Sequence, residues 1–503
     1  MEKKVVIIGG GLGGMSAGIR LAADNYDVTI LEKGGRLGGK LNKRGGMGYT
    51  FDIGPTILTM PWVLEQLFRH VNRNLSDYIH IKRIEPQWKT FFEDGTVIDL
   101  TCDIPELIKQ LESVSKDDAN EVFSYLNYCS KMYEYSLKSF YKKSLTGLTD
   151  LRSMHSVKEL LFMDPLKTIN QGTKRFFKNK KLQQLFNTLT MYIGSSPYHA
   201  PAFLSQLAHI QLGLGIYYVE GGMFQIADAM SRVLHELEAD VHLNAQVKRI
   251  LTSGTKTTGV ELENGIVIDA DLVISNLEVI PTYKTLLKDS LNSKQLKQEE
   301  EKFPPTVSGF ALLLGIKKQY HNLTHHNFFF SDNPDKEFDQ IFNKGVPADD
   351  PTIYVGISSK TDQSQAPQGK ENFFVLTHVP PLCEGECWEN KKGKYRKLIF
   401  DKLERMGIKE LHNNIEFEYT LTPNDFKNLY GSNGGSMYGV VSDRKKNGGF
   451  KFPSESTLLE NLYFVGGSTH PGGGVPYVTL SGQLTADLIL SKDIKSNLKK
   501  EIS

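Results

Sequence analysis

A glycine cluster near the N-terminus has the spacing needed to hold a phosphate-containing cofactor. The run Gly9-Gly10-Gly11-Leu12-Gly13-Gly14 satisfies the pattern GxGxxG. Backbone N–H groups can approach a diphosphate closely at such a turn because the glycines carry no side chains. A helix that begins there adds the positive end of its dipole. We predict that these six residues bind the diphosphate of a dinucleotide.

An acidic residue and a second glycine pair follow the first motif. Glu32 lies 23 residues beyond Gly9, close to the spacing of about 20 residues at which a carboxylate accepts hydrogen bonds from the adenosine ribose. These features leave NAD and FAD open. The segment Arg36-Leu37-Gly38-Gly39-Lys40 then adds two cations and another close backbone approach to a diphosphate. A nicotinamide cofactor alone does not need it, so we predict FAD, bound also by the cations and glycines of this segment.

The C-terminal part of the chain carries another glycine-rich loop. A strand-like run leads into Gly466-Gly467-Ser468-Thr469-His470-Pro471-Gly472-Gly473-Gly474, and Val478 lies on the apolar face of the helix expected to follow. In a flavoprotein such a helix N-terminus can face the pyrimidine edge of the isoalloxazine and favour the reduced flavin. We predict that Gly467, Ser468 and Val478 contact the flavin.

Two side chains are candidates for catalysis. His470 lies in the C-terminal glycine loop, where it would orient substrate or act as an acid or base; a hydrogen-bonded loop anchor is the alternative. Asp52 is the second candidate, with a structural cap as the alternative. No metal site is predicted, because adjacent His325 and His326 would point to opposite faces of a strand and the Cys383–Cys387 spacing has no further ligands nearby.

A parallel α/β scaffold is needed to bring these residues together. Val5-Val6-Ile7-Ile8 has the composition of a buried strand and runs directly into the first glycine motif. Met15, Ile19 and Ala22 then recur at helical spacing, and a second strand, Val28-Thr29-Ile30-Leu31, ends at Glu32. Strand, glycine turn, helix and strand make the βαβ unit of a dinucleotide-binding fold. The fold class is therefore predicted to be α/β and Rossmann-like.

The composition is that of a large globular protein. The 503 residues include 59 Lys+Arg and 58 Asp+Glu, with 40% hydrophobic and 23% charged residues. This mix excludes a disordered chain, and the charge balance argues against a nucleic-acid partner because phosphate neutralisation needs an excess of cations. Four cysteines are too few for a disulfide framework, and no apolar run is long enough to cross a bilayer. We predict a cytoplasmic protein.

Together the motifs resemble those of a known family. The N-terminal motifs, Asp52-Ile53-Gly54-Pro55-Thr56 and the C-terminal glycine loop are similar to those of the carotenoid desaturase family of bacterial flavoproteins, in the amine-oxidase-like superfamily. The resemblance extends over essentially the whole chain. It implies FAD, a Rossmann-like FAD-binding fold with an inserted mixed α/β substrate domain, Val247 near the adenine, and Asp52 beside the flavin ring.

The same resemblance divides the chain into two discontinuous domains. Residues 1–90, 215–290 and 440–495 carry the motifs of the FAD-binding domain. Residues 91–214 and 291–439 are left for the substrate and membrane-associated domain.

Within the family, the C30 enzymes of staphylococci and bacilli are most similar. The similarity lies in His325-His326-Asn327-Phe328-Phe329-Phe330 and Asp350-Pro351-Thr352-Ile353-Tyr354. It implies oxidation of the terminal methyl groups of a lipophilic polyene, 4,4'-diaponeurosporene or diapolycopene, to aldehyde or acid, with dehydrosqualene or phytoene desaturation as the alternative. A flavin-free lipid carrier and an amine oxidase are alternatives of other classes; the intact glycine motif with Glu32 argues against the first, and the C-terminal loop against the second.

A basic segment suggests peripheral contact with the cell membrane. Lys174-Arg175-Phe176-Phe177-Lys178-Asn179-Lys180-Lys181 interleaves cations with two phenylalanines. A C30 polyene resides in the bilayer, and each cation near anionic headgroups contributes about 1 kcal/mol. The alternative is a solvated helix face with both phenylalanines in the core. The sequence leaves the oligomeric state open.

Overall fold

A computed structural model describes residues 3–145, 147–288 and 293–502 of the chain, without the side chains of Leu148 and of residues beyond 495. The predicted domain boundary at residue 290 lies outside the described residues. The strands in chain order are β1 (Lys4–Ile8), β2 (Asp27–Leu31), β3 (Lys43–Gly46), β4 (Tyr49–Asp52), β5 (Ile81–Arg83), β6 (Trp88–Phe91), β7 (Val97–Leu100), β8 (Tyr217–Val219), β9 (Asp240–His242), β10 (Val247–Ser253), β11 (Lys256–Leu262), β12 (Val267–Asp269), β13 (Leu272–Ser275), β14 (Ser308–Ile316), β15 (His326–Phe329), β16 (Ile353–Gly356), β17 (Glu371–Val379), β18 (Ile415–Leu421) and β19 (Leu462–Phe464).

The helices fall between these strands and in one long helical region before β8. In chain order they are α1 (Leu12–Ala23), α2 (Trp62–His70), α3 (Ile104–Glu112), α4 (Lys116–Asn120), α5 (Val122–Lys138), α6 (Leu148–Met154), α7 (Val157–Phe162), α8 (Ile169–Thr173), α9 (Lys180–Thr188), α10 (Gln206–Ala208), α11 (Gln225–Glu236), α12 (Val279–Pro281), α13 (Ser293–Lys302), α14 (Pro334–Phe342), α15 (Glu389–Arg405), α16 (Pro423–Tyr430) and α17 (Val475–Ile502).

Five parallel strands form the sheet that carries the glycine motifs. Their order is β19-β13-β1-β2-β9, and every neighbouring pair is parallel. The strands come from three separate parts of the chain. Because parallel strands end at a common edge, the glycine turn after β1, Glu32 after β2 and the loop after β19 lie along the same edge.

Both faces of this sheet are buried. Along β1, Val5 and Ile7 belong to the core that contains α1, whereas Val6 and Ile8 pack on the opposite side with β10, β11 and β12. Successive side chains of a strand point to opposite faces, so a strand covered on both sides needs a continuous apolar run. The two strands and the helix of the predicted βαβ unit are confirmed as β1, α1 and β2.

The first and last helices cross in close contact behind the sheet. A Cβ at Gly482 would lie 2.3 Å from the carbonyl oxygen of Gly13, so only glycine permits this approach. The Ser16 hydroxyl donates to the Thr479 carbonyl at 2.7 Å. The start of α1 is thereby held against the first two turns of α17, and both helices begin directly after glycine-rich loops.

A second, seven-stranded sheet lies outside the cofactor fold. Its order is β18-β14-β17-β16-β15-β6-β7, with antiparallel pairs except for β15 and β6, which are parallel. Phe310 and Leu312 on β14 pack against Ile399 and Phe400 of α15. Strand β6 belongs wholly to this sheet, so a domain boundary at residue 90 would divide a strand.

Candidate active site

The first glycine motif forms a tight turn at the edge of the parallel sheet. Gly9 has a φ of +93°, and its N–H donates to the Leu31 carbonyl at 2.8 Å. The first intrahelical bond of α1 runs from Met15 to the Gly11 carbonyl at 2.9 Å. The N–H groups of Leu12, Gly13 and Gly14 therefore precede the helical ladder and have no partner one turn back. This is the donor arrangement that a diphosphate requires.

Glu32 lies beside that turn, at the end of β2. Its Oε2 accepts from the N–H of Gly10 at 2.8 Å, and its Oε1 accepts from the N–H of Gly34 at 2.7 Å. A carboxylate has about four acceptor positions, so two remain for hydroxyl groups of a ribose. The sequence spacing thus places Glu32 in contact with the turn that it was predicted to accompany.

The second glycine pair packs directly on the first motif. The Gly38 N–H donates to the Gly10 carbonyl at 2.8 Å, and Gly38 and Gly39 have φ values of +121° and +58°. A Cβ at Gly39 would lie 3.0 Å from the Cα of Gly11. Glycine is therefore required at this contact, which brings a second stretch of bare backbone to the cofactor edge.

The two cations of this segment have protein partners. Lys40 Nζ forms an ion pair with Glu278 Oε1 at 2.9 Å and donates to the Ser436 carbonyl at 2.9 Å. Arg36 donates to the Lys43 carbonyl at 2.8 Å and lies over the ring of Phe224. Contacts from these cations to a diphosphate remain a prediction. Glu278 was not identified from the sequence, although its position shortly after β13 places it at the same edge.

The segment before β10 runs alongside Glu32. The Ala245 N–H donates to the Glu32 carbonyl at 2.8 Å, and the Asn244 N–H donates to the Gly34 carbonyl at 3.0 Å. Val247 is buried at the start of β10. Val247 therefore follows two residues after the contact with Glu32, and its place near the adenine remains a prediction.

The C-terminal glycine loop closes the opposite side of this edge. The Ser468 hydroxyl accepts from the N–H of Val279 at 3.0 Å, which ties the loop to the segment after β13. Gly467 packs so tightly on Gly439 that a Cβ at Gly439 would lie 2.4 Å from the Gly467 carbonyl carbon. Val478 lies in the first turn of α17, and its N–H donates to Gly474 at 2.9 Å. Contacts of these residues with the flavin remain a prediction.

Asn276 joins the two glycine loops and was missed in the sequence analysis. It follows β13, and its N–H donates to the Ile8 carbonyl at 2.8 Å. A Cβ at Gly11 would lie 2.6 Å from Asn276 Nδ2, and one at Gly466 would lie 2.9 Å from Asn276 Oδ1. Its side chain therefore fills the space between the turn after β1 and the loop after β19. The available signal was a polar residue at the end of a buried strand.

Asp52, the last residue of β4, joins this strand to β8 and to the segment between β8 and α11. Its Oδ2 accepts from the Tyr218 hydroxyl at 2.9 Å and its Oδ1 accepts from the Met223 N–H at 2.9 Å. The side chain is buried, and burial raises the pKa of Asp52 to about 6. The two hydrogen bonds give Asp52 a structural role, which was the alternative to catalysis. A catalytic role remains a prediction.

His470 is a buried residue of the C-terminal loop. Its ring stacks on Phe140, and its Nε2 lies 2.8 Å from the Phe140 carbonyl oxygen. Burial lowers the pKa of His470 to about 4, so the neutral ring carries its proton on Nε2 and donates it to that carbonyl. Nδ1 is then the nitrogen that could accept a hydrogen bond. The bond to Phe140 anchors the loop, as the alternative interpretation of His470 expected. An acid or base role remains a prediction.

A pocket that is partly open to solvent lies against the same loop. Pro471, Gly472 and Gly473 form one part of its wall. Aromatic and aliphatic side chains form most of the rest: Phe140, Ile193, Phe203, Leu204, Leu207 and Tyr477. Such a wall accepts an apolar ligand next to the glycine loop.

The residues along this edge fit a flavin dinucleotide. The unpaired N–H groups at the start of α1 suit the diphosphate, Glu32 has acceptor capacity for the ribose, and bare glycine backbone lines the turn on both sides. The loop after β19 suits the ring end, because it joins the start of α17 to the apolar cavity.

Comparison with known proteins identifies the class. Residues 12–490 match the family described as flavin containing amine oxidoreductase. The chain belongs to this family, and it is a flavin-dependent oxidoreductase.

The chain is also similar in sequence to staphylococcal oxygenases. The 4,4'-diaponeurosporene oxygenase of Staphylococcus aureus strain MSSA476 is 43% identical over 497 residues, which cover 99% of this chain and 100% of the relative. The enzyme of strain USA300 has the same identity over the same length. The resemblance to the carotenoid flavoenzymes of staphylococci is thereby confirmed.

Two solved structures support the fold. An oxidoreductase from Methanosarcina mazei aligns with a TM-score of 0.61 at 18% identity, covering 95% of this chain and 99% of that one. Putrescine oxidase bound to putrescine aligns with a TM-score of 0.61 at 13% identity, covering 98% and 99%. The predicted α/β fold of the amine-oxidase-like superfamily is confirmed. Within the described residues, no helix is both long and apolar enough to cross a membrane.

Proposed function

We propose that the chain is an FAD-dependent enzyme that oxidises a terminal methyl group of a C30 polyene such as 4,4'-diaponeurosporene to aldehyde or acid. The observation that carries the proposal is the 43% identity over 99% of the chain to the staphylococcal oxygenase. The apolar cavity beside the C-terminal glycine loop supports it, because a long conjugated hydrocarbon needs an apolar channel that ends at the flavin.

When bound, FAD would supply the redox chemistry of the oxidation, with molecular oxygen as the co-substrate: R–CH3 and O2 would give R–CHO and water. The chain's own residues would do the positioning. The start of α1 would bind the diphosphate, and Glu32 would accept from the ribose. The cavity would align the polyene end and exclude water. The neutral His470 ring has an acceptor at Nδ1 but, with a pKa of about 4, would not serve as a cationic acid near neutral pH.

An amine substrate is disfavoured by the cavity. A substrate ammonium needs a carboxylate as its counter-charge. Among the described residues that line the cavity there is no Asp or Glu, and Lys451, when protonated, carries the same sign of charge as the substrate. A substrate ammonium would therefore be desolvated without a counter-charge. A polyene has no such requirement.

Product analysis tests the proposal. FAD-loaded protein in liposomes is given 4,4'-diaponeurosporene or dehydrosqualene, in air enriched with oxygen-18 and under argon, and the products are analysed by mass spectrometry. We expect label in the product from diaponeurosporene in labelled air, and no oxygenated product under argon. Loss of hydrogen pairs from dehydrosqualene without label would establish the alternative, a desaturase. A colourless protein that binds polyene without changing it would favour the lipid carrier.

Peripheral membrane contact is part of the proposal, but we propose a site other than the basic segment 174–181. Phe177 is buried and Phe176 packs on Tyr125 and Tyr128, so these rings face the core. Arg175 pairs with Asp164, at 2.6 Å. The basic segment therefore lacks the exposed aromatic side chains that would enter a bilayer.

The neighbouring surface has the required chemistry. Val157 and Leu161 are one turn apart on α7 and 73% and 69% exposed, and Leu166 is 80% exposed. Lys158 and Lys174 are exposed on the same part of the chain. We define Val157, Leu161 and Leu166 as the apolar patch. Exposed aliphatic side chains flanked by lysines suit the interface of a membrane that contains anionic lipid.

Replacing the apolar patch tests this contact. We expect the triple variant Val157→Ser, Leu161→Ser and Leu166→Ser to lower partitioning onto vesicles with anionic lipid by at least about tenfold, because each aliphatic side chain buried contributes about 1 kcal/mol or more. Co-sedimentation measures it. A matched variant with Val346→Ser, Leu429→Ser and Ile494→Ser, also at exposed positions, should bind like the unchanged protein. Equal binding by all three proteins would contradict the proposed patch.

A further inference from the structure

Lys451 is a buried amine without a charged partner. Its side chain is buried, and its Nζ donates to the backbone carbonyl of Val440. Burial alone lowers the pKa of Lys451 to about 7, and no carboxylate contributes to the shift. Burying an amine without a counter-charge costs free energy. This residue is therefore a poor choice for packing alone, and a ligand that accepts its hydrogen bonds would offset the cost.

Lys451 lines the apolar cavity described above. A Cβ at Gly472 would lie 3.1 Å from Lys451 Cε, so the lysine stem runs directly against the C-terminal glycine loop. Three other polar side chains of the cavity wall, those of Tyr141, Gln206 and Tyr477, bond to one another. Tyr141 donates to Gln206 Oε1 at 2.7 Å, and its hydroxyl lies 3.1 Å from that of Tyr477.

The wall is apolar or already hydrogen-bonded, whereas the Lys451 amine lacks a charged partner among the described residues. This difference indicates which ligand the cavity binds. A pure hydrocarbon end fits the aromatic and aliphatic wall but gives the amine nothing to bond. A polyene that ends in an alcohol, aldehyde or carboxylate fits both. In apolar surroundings a hydrogen bond or ion pair to such an oxygen is stronger than in water.

We propose that the cavity around Lys451 is a subsite for the oxygenated end of the polyene, in which the amine donates to a terminal hydroxyl or carbonyl oxygen and pairs with a terminal carboxylate. The inference rests on the proposed function and extends it to the partly oxidised substrate. Lys451 would hold the alcohol or aldehyde beside the glycine loop for the next oxidation. It is a positioning residue for the later steps rather than for the first attack on the methyl group.

Binding measurements test the subsite without turnover. FAD-loaded protein in detergent is titrated with 4,4'-diaponeurosporene, its terminal aldehyde and its terminal acid, and binding is followed by polyene absorbance. We expect Lys451→Met to weaken aldehyde and acid binding by at least about tenfold and to leave the hydrocarbon unchanged. Lys446→Met, at an exposed lysine nearby, should leave all three ligands unchanged. Equal acid affinity in the Lys451→Met and unchanged proteins would overturn the subsite, as would an equal loss for all three ligands.

The unchanged protein provides a second measurement if Lys451→Met does not fold. Because the amine pairs with the acid only when protonated, the ratio of acid to hydrocarbon affinity should fall as pH rises from about 7 to about 10. A constant ratio would overturn the proposal. These titrations give an answer whether or not the enzyme inserts oxygen, so a failed product test and a failed binding test remain distinct results.

Discussion

Gly14→Ala should abolish flavin retention and lower the free energy of unfolding by about 3 kcal/mol, the upper part of the range for overpacking a close contact. A Cβ at position 14 would lie 2.3 Å from the Gly9 carbonyl oxygen. Both atoms belong to rigid elements, the turn after β1 and the first turn of α1, so neither can move without separating the strand from the helix. The N–H groups predicted to bind the diphosphate would move with them.

Flavin content after purification and urea unfolding measure the two effects. The matched control is Gly393→Ala, the same change on the exposed side of α15, where an added Cβ meets no atom within 4 Å. There the substitution should raise the free energy of unfolding by about 0.5–1 kcal/mol, since alanine loses less backbone entropy in a helix than glycine. Flavin content and stability of Gly14→Ala equal to those of the control would contradict the proposed role of the turn.

The βαβ unit and the meeting of its glycine motifs at one sheet edge could be predicted from the sequence because the signals are local. An apolar run that leads into GxGxxG, a helical face and a second strand ending at Glu32 together favour one kind of unit, and the position of Glu32 follows from the length of α1 and β2. The structure then places Glu32 within hydrogen-bond distance of Gly10 and Gly34. The fold class follows from the same short segment.

Long-range pairing could not be predicted in this way. Lys40 meets Glu278 and Ser436, which lie 238 and 396 residues further along the chain. Nothing in the local sequence distinguishes a lysine that binds a diphosphate from one that pairs with a distant carboxylate. Asn276 was missed for the same reason, because its role arises where two loops from opposite ends of the chain meet.

The segment 174–181 shows a different limit. Its alternation of cations and phenylalanines was compatible with a membrane face and with a core-facing helix. Which of the two applies depends on tertiary packing. Tyr125 contacts both Phe176 and Phe177, so the two rings face the core. Lys451 carried no sequence signal either, since only the fold buries it beside the glycine loop.

The second large effect expected is on the pH dependence of the free energy of unfolding, and it comes from the buried carboxyl group of Asp52. Burial raises the pKa of Asp52 to about 6, while hydrogen bonds from Tyr218 and Met223 and the charge of Lys43 oppose the rise. The unfolded-state pKa is about 3.9. Because the folded protein holds this proton more tightly than the unfolded chain, the stabilisation is fully present below about pH 4. It is lost as pH rises through about 6.

Asp52→Asn should remove this pH dependence and raise the free energy of unfolding at pH 7 by about 1–2 kcal/mol. A shift of about two pKa units is worth about 3 kcal/mol, from which about 1 kcal/mol is lost because the Tyr218 hydroxyl must turn to accept from the new amide. Urea unfolding at about pH 4.5 and pH 7 measures the change. Asp332→Asn, at an exposed position, is the control and should leave the profile unaltered; an unaltered profile in Asp52→Asn would refute the assignment.

The same variant separates the two roles of Asp52. If the carboxylate serves only to join β4 to the turn before α11, the asparagine keeps the acceptor for Met223 and polyene oxidation continues at a similar rate in a more stable protein. If the charge takes part in the chemistry beside the flavin, turnover falls although stability rises. A lower turnover in a more stable Asp52→Asn protein would therefore indicate a catalytic role for Asp52. In that case the loss of rate could not be explained by a loss of structure.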